Sequence, residues 1–366
     1  ETVKPLWALG QHRLLVFYSM TLLGIARTGL VISVACMALI KAMAVPPKMV
    51  PSLQGKVAVV TGASRGIGRG IALGLGDSQA TVYVTGRTEA AVKATADEVT
   101  ARGGKGIAVV CDHADQKSLE QLFERIGKEQ PGGLDVLVHN AFSAVGPLMS
   151  TNSKKFWEKG PEWWDTVNNV GLKSHFASSQ LAVPLMLKGA SKENPRLIVT
   201  VSSIGGSITL FDVAYGAGKA AKDKMAKDMA MDLKESNIAS ISLWPGPVKT
   251  ELITEHAFSE EGQPKGAAGE IFKHAESTLY SGYAVSALAR DQNIMGLTGR
   301  TLITEDLGQR YGFKEADGSL PFNFRQVRSW ALAAGVPEDA AKFVPGFLKV
   351  PLWVFAVATS KFRPWA

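Results

Sequence analysis

Acidic residues are missing from the start of this chain: between Thr2 and Gly76 there is neither aspartate nor glutamate. Cysteine is almost missing as well. Cys36 sits in an apolar run and Cys111 at the end of a strand-like segment, and neither has the spacing of a CxxC pair. That argues against a disulfide framework or a thiolate metal site and leaves both as packing residues. The six histidines show no HExxH-like spacing, so no metal site is expected. A dense basic run is also lacking. The net charge of +7 is spread along the chain without interleaved aromatics, which argues against nucleic acid. Lysines and arginines beside apolar segments suit an anionic cofactor or an anionic membrane surface better.

Apolar residues, by contrast, are plentiful at 46%, enough for a sizeable core. They are densest in "RLLVFYSMTLLGIARTGLVISVACMALIK", which is apolar from Leu14 to Ile40 except for Arg27 and a few small polar residues. As a helix this run would extend about 40 Å, enough to span a bilayer with some tilt. Arg27 near its middle costs about 2.5–3.5 kcal/mol on insertion scales, tolerable beside so many Leu, Ile and Val. The expectation is a transmembrane helix, with a long amphipathic helix lying on a membrane or another subunit as the alternative. Acid-poor sequence dotted with Arg and Lys is a feature of organelle targeting. A removed presequence ahead of a retained anchor would explain it together with the opening Glu1, and a mitochondrial or endoplasmic reticulum membrane is expected. "AVPPKMVPSLQG" then reads as a linker. At the other end, Val350 to Ala358 is too short to span, but Trp353, Trp365 and flanking lysines suit an interfacial dip into lipid. A core helix is the competing reading there. The organisation expected is an anchor and linker over 1–50, a catalytic domain over 51–315 and an apolar extension over 316–366.

The middle of the chain has a different pattern. "KVAVV" is a valine-rich run of the kind buried on both faces of a sheet, and it enters "TGASRGIGRGIALGLG", a glycine turn that becomes a helix. A second strand "TVYVTGR", a helix from about Glu89 to Arg102, a third strand "GIAVVCD", a helix near Ser118 to Gly127 and a fourth strand "LDVLVHNA" follow. Alternating strands and helices predict an α/β fold, a Rossmann-type doubly wound parallel sheet in a single domain. Such sheets bind ligands beyond the carboxyl ends of their strands.

The glycines indicate the ligand. Gly62, Gly66 and Gly68 are spaced G-x-x-x-G-x-G, a variant of the dinucleotide fingerprint. They allow a tight turn, approach of the backbone to a pyrophosphate, and close packing of helix on strand. At the end of the second strand, where an acid would bind the ribose 2′-hydroxyl of NAD, the sequence reads "TGR". Arg87 there and Arg65 in the glycine loop favour the extra phosphate of NADP(H), with NAD(H) possible. The alternative is that Arg87 simply faces solvent.

"AYGAGK" places Tyr215 and Lys219 one helical turn apart, on the same face of a helix. Free tyrosine titrates near pH 10, and a cationic lysine one turn away would stabilise the phenolate and make proton transfer practicable at neutral pH.

"TGASRGIG", "CD" at 111–112, "HNA" at 139–141, "SS" at 202–203, "YGAGK" and "WPGPVKTE" come in the order and spacing of the short-chain dehydrogenases/reductases, which the chain resembles from residue 54 to about 312. Finer features, among them "KKFWEKGPEWWDTVNNVGLKSHF" and "RYGFKEADG", resemble one branch of that family. The resemblance implies that Tyr215 exchanges a proton with substrate and that Lys219 lowers its pKa and binds the nicotinamide ribose. It implies that Ser202 polarises the carbonyl, with adjacent Ser203 as an alternative. For the cofactor it implies Gly62, Ser64, Arg65, Gly66, Ile67 and Gly68 in the loop, Arg87 and Asp112 at the adenosine end, and Asn140 behind the ribose. Pro245, Gly246, Val248 and Thr250 would orient the nicotinamide carboxamide.

Two departures stand out. The family's "NNAG" is "HNAF" here, placing His139 and Phe142 beside the cofactor floor. The family's fourth catalytic residue, an asparagine, falls on Gly171, with Asn168 and Asn169 just before it. The relay either uses a shifted asparagine or runs through water without one. Residues 254–281 match the family's substrate lid, where Phe258, Phe272 and Tyr280 are expected over an apolar substrate. The function expected is a membrane-anchored NADP(H)-dependent oxidoreductase acting on the carbonyl or alcohol of an apolar compound such as a steroid, a retinoid or a lipid derivative. The expected partners are that substrate, membrane lipid and other membrane-protein subunits. The rival expectation is a structural subunit of a membrane assembly that keeps its cofactor with little turnover.

Overall fold

Among the described residues, seven short strands, each followed by a helix or a 3₁₀ turn, set the plan of the fold. The computed structural model describes residues 52–151, 154–257, 259, 263, 266–351 and 354. In order they form β1 (Val57–Val60), α1 (Gly66–Asp77), β2 (Thr81–Gly86), α2 (Glu89–Ala101), β3 (Lys105–Val110), α3 (Gln116–Glu129) and β4 (Val136–His139). Then come α4 (Val145–Ser150), α5 (Trp163–Asn168), α6 (Ser174–Leu187), β5 (Arg196–Val201), α7 (Val213–Leu233) and β6 (Ile238–Trp244). The chain continues through α8 (Glu251–Ala257), α9 (Gly266–Lys273), α10 (Thr278–Arg290), β7 (Thr301–Ile303) and α11 (Thr304–Tyr311).

The strands make one sheet in the order β3-β2-β1-β4-β5-β6-β7, and every pairing is parallel. β1 and β4 are buried along their whole length because helices cover both faces, which is why they read as unbroken apolar runs. The connection reverses direction beside β1, between β1 and β4, so a crevice opens there at the carboxyl ends.

Helix patterning follows from which face is covered. α3 buries Leu119, Leu122, Phe123 and Ile126 on one stripe, and the Asp115 side chain caps its first turn by accepting from the amides of Lys117 and Ser118. α1 is instead small-faced. A Cβ on Gly74 would lie 2.5 Å from the Gly282 carbonyl carbon, so α1 and α10 cross almost backbone to backbone, and this fixes where the glycine loop ahead of α1 points.

After α11 the chain folds back onto the same body. Asn323, Arg325 and Lys349 all converge on the Asp306 carboxylate. Among the described residues no helix is long and apolar enough to cross a membrane. The anchor expected over Leu14–Ile40 lies outside the described residues, as does most of the apolar run after Val350.

Candidate active site

The glycine loop lies at the carboxyl end of β1. Gly62 has φ +65° and Gly66 φ +57°, conformations that side-chain-bearing residues rarely adopt. A Cβ on Gly62 would also fall 2.7 Å from Ala141 Cα in the loop after β4. Asn140 fastens these two loops, its Nδ2 donating to the carbonyls of Thr61 and Gly62 at 2.9 Å each. It therefore shapes the loop from behind. α1 starts at Gly66 with no side-chain cap on Arg65 and no acid in its first turn. Its first amides are thus free of side-chain competition, which is the condition for holding a phosphate.

Ser64 lies against Gly86 at the end of β2, and Ile67 is partly buried in the first turn of α1. Arg65 and Arg87 are exposed at this corner, and the next residues after β2 bring no acid before Glu89. Asp112, also exposed, accepts from the Ala114 amide at 3.0 Å and so projects beyond β3. Behind it His113 is buried against the Thr85 hydroxyl at 2.9 Å, and burial pushes its imidazole down to about 4.

The reacting end is built on α7. Asp212 caps this helix through the Tyr215 amide at 2.9 Å. The other oxygen of the same carboxylate accepts from Trp163 Nε1 at 2.6 Å and Lys159 Nζ at 2.7 Å. The Lys159 and Asp212 side chains are only 3% and 8% exposed. Burial pushes the Asp212 carboxyl up, but the bonds from Lys159, the Tyr215 amide and Trp163 outweigh it and hold it below the usual range. One carboxylate therefore ties the aromatic segment 156–164 to the start of the helix that carries Tyr215.

Tyr215 itself is 8% exposed. Phe142 meets its ring edge-on at 6.1 Å between centroids and Phe211 at 5.0 Å. Phe211 sits at φ +59°, a strained conformation for a bulky residue. Burial raises the Tyr215 pKa, and a hydrogen bond with the Ser203 hydroxyl opposes that rise. Lys219 Nζ lies 5.3 Å from the centre of the Tyr215 ring, and burial lowers its ammonium to about 8.

Of the two adjacent serines it is Ser203 that faces the phenol. The Ser202 hydroxyl donates to the Lys219 carbonyl at 3.1 Å, turned into the packing between β5 and α7. No spacing argument reveals this, because side chains alternate in direction along the strand end.

The position of the missing asparagine is also resolved. A π-helical turn, Asn169–Lys173, interrupts the run from α5 to α6 and carries Gly171 inward. A Cβ there would lie 2.7 Å from Phe142 Cδ2. Asn168 does not stand in. It is buried, its Nδ2 donates to the Ala214 carbonyl at 3.1 Å, and its amide oxygen packs against Gly218. The "HNAF" and Gly171 departures are thus one feature, a ring filling the space of a side chain.

The segment after β6 closes the crevice. Pro245 is buried, and Thr250 comes within 3.5 Å of where a Cβ on Gly66 would be. Gly246 N donates to Glu276 Oε2 at 3.2 Å, and Val248 pairs with Glu276 in a short parallel bridge. Glu276 is fully buried and also accepts from Ser281 and Thr304. Sequence reading missed it, since one glutamate in a stretch of mixed charge carries no signal. Tyr280, expected over a substrate, is buried in the core against Phe313, with its ring 4.9 Å away. Phe258 lies outside the described residues.

Residues 56–261 match the family described as short chain dehydrogenase. The chain belongs to the short-chain dehydrogenase/reductase family. This member is 42% identical over 317 residues to dehydrogenase/reductase SDR family member 1 of Homo sapiens, covering 86% of this chain and 100% of that one. Similarity to the Mus musculus protein of the same name is 43% over 324 residues, again covering 86% of this chain and 100% of that one. Among solved structures, the Pseudomonas aeruginosa RhlG/NADP active-site complex superposes with a TM-score of 0.61 at 26% identity, covering 70% of this chain and 97% of that one. Two features mark the site of this short-chain dehydrogenase/reductase, the Phe142 ring packed over Gly171 and the Asp212 node.

Proposed function

We propose that this short-chain dehydrogenase/reductase is an NADP(H)-dependent oxidoreductase that reduces a carbonyl, or oxidises the matching alcohol, of an apolar substrate. One observation carries the reading: Ser203, Tyr215 and Lys219 meet at the carboxyl end of a sheet whose glycine loop ends in an uncapped helix. The residues fit a dinucleotide. Gly62, Ser64, Gly66, Ile67 and Gly68 form the phosphate cradle, Arg65 and Arg87 suit a 2′-phosphate, Asp112 suits the adenine, and Pro245 to Thr250 suit the carboxamide. The likeness to an NADP complex supports the same choice.

When bound, the nicotinamide supplies or accepts the hydride. This chain's residues move the proton. Ser203 holds the substrate oxygen by donating to it, Tyr215 passes its phenolic proton to that oxygen, and the Lys219 ammonium stabilises the phenolate that remains. Burial alone raises the phenol pKa, so the cation beside it is needed.

An apolar substrate suits the walls. Phe142 and Phe211 flank the phenol, while Trp164, Leu210 and Val213, close in sequence to the capping and walling residues, are exposed. A membrane location, mitochondrial or endoplasmic reticulum, is part of this proposal and rests on the sequence of Leu14–Ile40.

A second reading, a structural subunit with retained cofactor, draws on Gly171 and the near-complete burial of Tyr215. Purified protein with NADPH and a panel of aromatic and lipid aldehydes and ketones decides between them. The enzyme reading expects NADPH oxidation with at least one carbonyl class. An inert protein that co-purifies stoichiometrically with membrane proteins would establish the second reading instead.

A further inference from the structure

Lys222 is a buried charge-bearing side chain that the proposed reaction does not use. It lies on α7, one turn beyond Lys219, and is 2% exposed. Its Nζ is 5.4 Å from the centre of the Phe142 ring, and Lys219 Nζ is 5.1 Å from the same centre. Three residues apart on α7, the two side chains share one face of the helix, and both Nζ atoms come to the same ring. The ring that blocks a side chain at residue 171 is therefore flanked by two lysines.

Other charged and titratable groups face Lys222 from α7, β4 and α6. Asp223 on α7 is engaged by Ser242 and Trp244 Nε1, and burial raises its carboxyl. His139 on β4 is bonded to Thr200 and Ser179, and burial with the nearby Lys222 charge pushes it down to about 3. His175 on α6 stacks on His139 at 4.9 Å and bonds the Ala141 carbonyl, and its Nδ1 has no partner. Both imidazoles are thus neutral donors or acceptors. Among the described residues, the hydrogen bond that Lys222 makes outside its own helix is a long one, its Nζ donating to the Val201 carbonyl at 3.4 Å.

Two ammonium groups cannot both persist in such a closed space, because burial and mutual repulsion disfavour the doubly charged state. We propose that Lys219 and Lys222 share one proton, and that Lys222 serves as the relay partner for which residue 171 has no room. The inference rests on the reading of Tyr215 and Lys219 given above. In carbonyl reduction the Tyr215 O–H bond breaks and its proton goes to the substrate oxygen as the hydride reaches carbon. The phenolate then takes a proton from the Lys219 ammonium. Lys222 receives the replacement proton from water and returns it to the Lys219 lone pair, so each turnover consumes one solvent proton. Lys222 touches neither substrate nor cofactor and is a positioning residue.

The lysine side chains, labelled with ¹³C at Cε, can be titrated by NMR in wild type and in Lys222→Met. A shared proton gives two lysine signals that titrate together in two steps, the first near the Lys219 value of about 8. In Lys222→Met the Lys219 ammonium loses its acceptor, and its titration moves down by about one pH unit, a tenfold fall in the ammonium-to-amine ratio and roughly a fivefold loss of ammonium at pH 8. The alkaline limb of kcat should move with it while KM for the carbonyl stays within about twofold. Independent titration of both lysines near the ordinary value in wild type would overturn the proposal, as would an unchanged Lys219 titration in the variant. Absence of turnover in wild type defeats the reading of the reaction, whereas the wild-type NMR titration decides the proton sharing even then, and even where the variant does not fold.

Discussion

The Phe142 ring occupies the space that a side chain on Gly171 would need, with Cδ2 2.7 Å from the position of the absent Cβ. Phe142 follows β4, while Gly171 lies in the π turn before α6. Phe142 also borders Tyr215, whose ring it meets edge-on. Placing the family's asparagine at 171 therefore requires the ring to shift.

Gly171→Asn should destabilise the protein by about 1–3 kcal/mol through overpacking. Combined with Phe142→Gly, the penalty should shrink, giving a coupling of about 1 kcal/mol or more. Urea denaturation of the four proteins measures it. Additive effects would mean that the two sites do not compete for space.

The two serines should separate cleanly. Ser203→Ala should lower kcat by roughly 10²–10³, the range for losing a donor to a developing oxyanion. Ser202→Ala should leave kcat within a few fold and cost about 1 kcal/mol of stability, because its hydroxyl is bonded to the Lys219 carbonyl. The reverse pattern in steady-state kinetics would return the role to Ser202.

Asp212→Ala removes a helix cap and leaves Lys159 buried without its counter-charge. A loss of about 3–5 kcal/mol is expected on breaking one side of a buried pair. Asp212→Asn, which keeps an oxygen for the Tyr215 amide, should lose less. A chemical denaturation midpoint that hardly moves in Asp212→Ala would contradict the node described above.

Cofactor choice is tested at Arg87. Arg87→Ala should weaken NADPH binding about tenfold or more, as expected for one charge-assisted bond, and leave NADH within about twofold. Fluorescence titration with both cofactors reads the ratio, and equal losses would show that Arg87 faces only solvent.

Stability should also depend on pH through Glu276. Burial raises its carboxyl to about 7, against the opposing hydrogen bonds from Ser281, Thr304 and Gly246 N. Between the unfolded value near 4.5 and about 7 the folded state holds one proton more than the unfolded state. Its contribution is therefore full at acid pH below 4.5 and is lost as pH rises through 7, by an amount on the order of 3 kcal/mol. Glu276→Gln should flatten the Tm profile across this window. A wild-type Tm that rises steadily from pH 5 to 8, unchanged in the variant, would rule the effect out.

The sequence by itself determined the parallel sheet, its glycine loop and the Tyr215–Lys219 face, because these depend on local periodicity and fixed spacing. Valine runs must be buried on both faces, a glycine turn between strand and helix must bring amides together, and residues four apart on a helix must share a side. Only the tertiary structure decided the rest. Which of two adjacent serines faces the phenol depends on how the end of β5 turns against α7. Whether Tyr280 covers a substrate or fills the core depends on how α10 seats against Phe313. That Phe142 fills the space beside Gly171, and that Lys222 comes to the same ring as Lys219, depends on the meeting of β4, the π turn and α7. Such relations join residues far apart in the chain through direction and volume, and no one-dimensional pattern encodes either quantity.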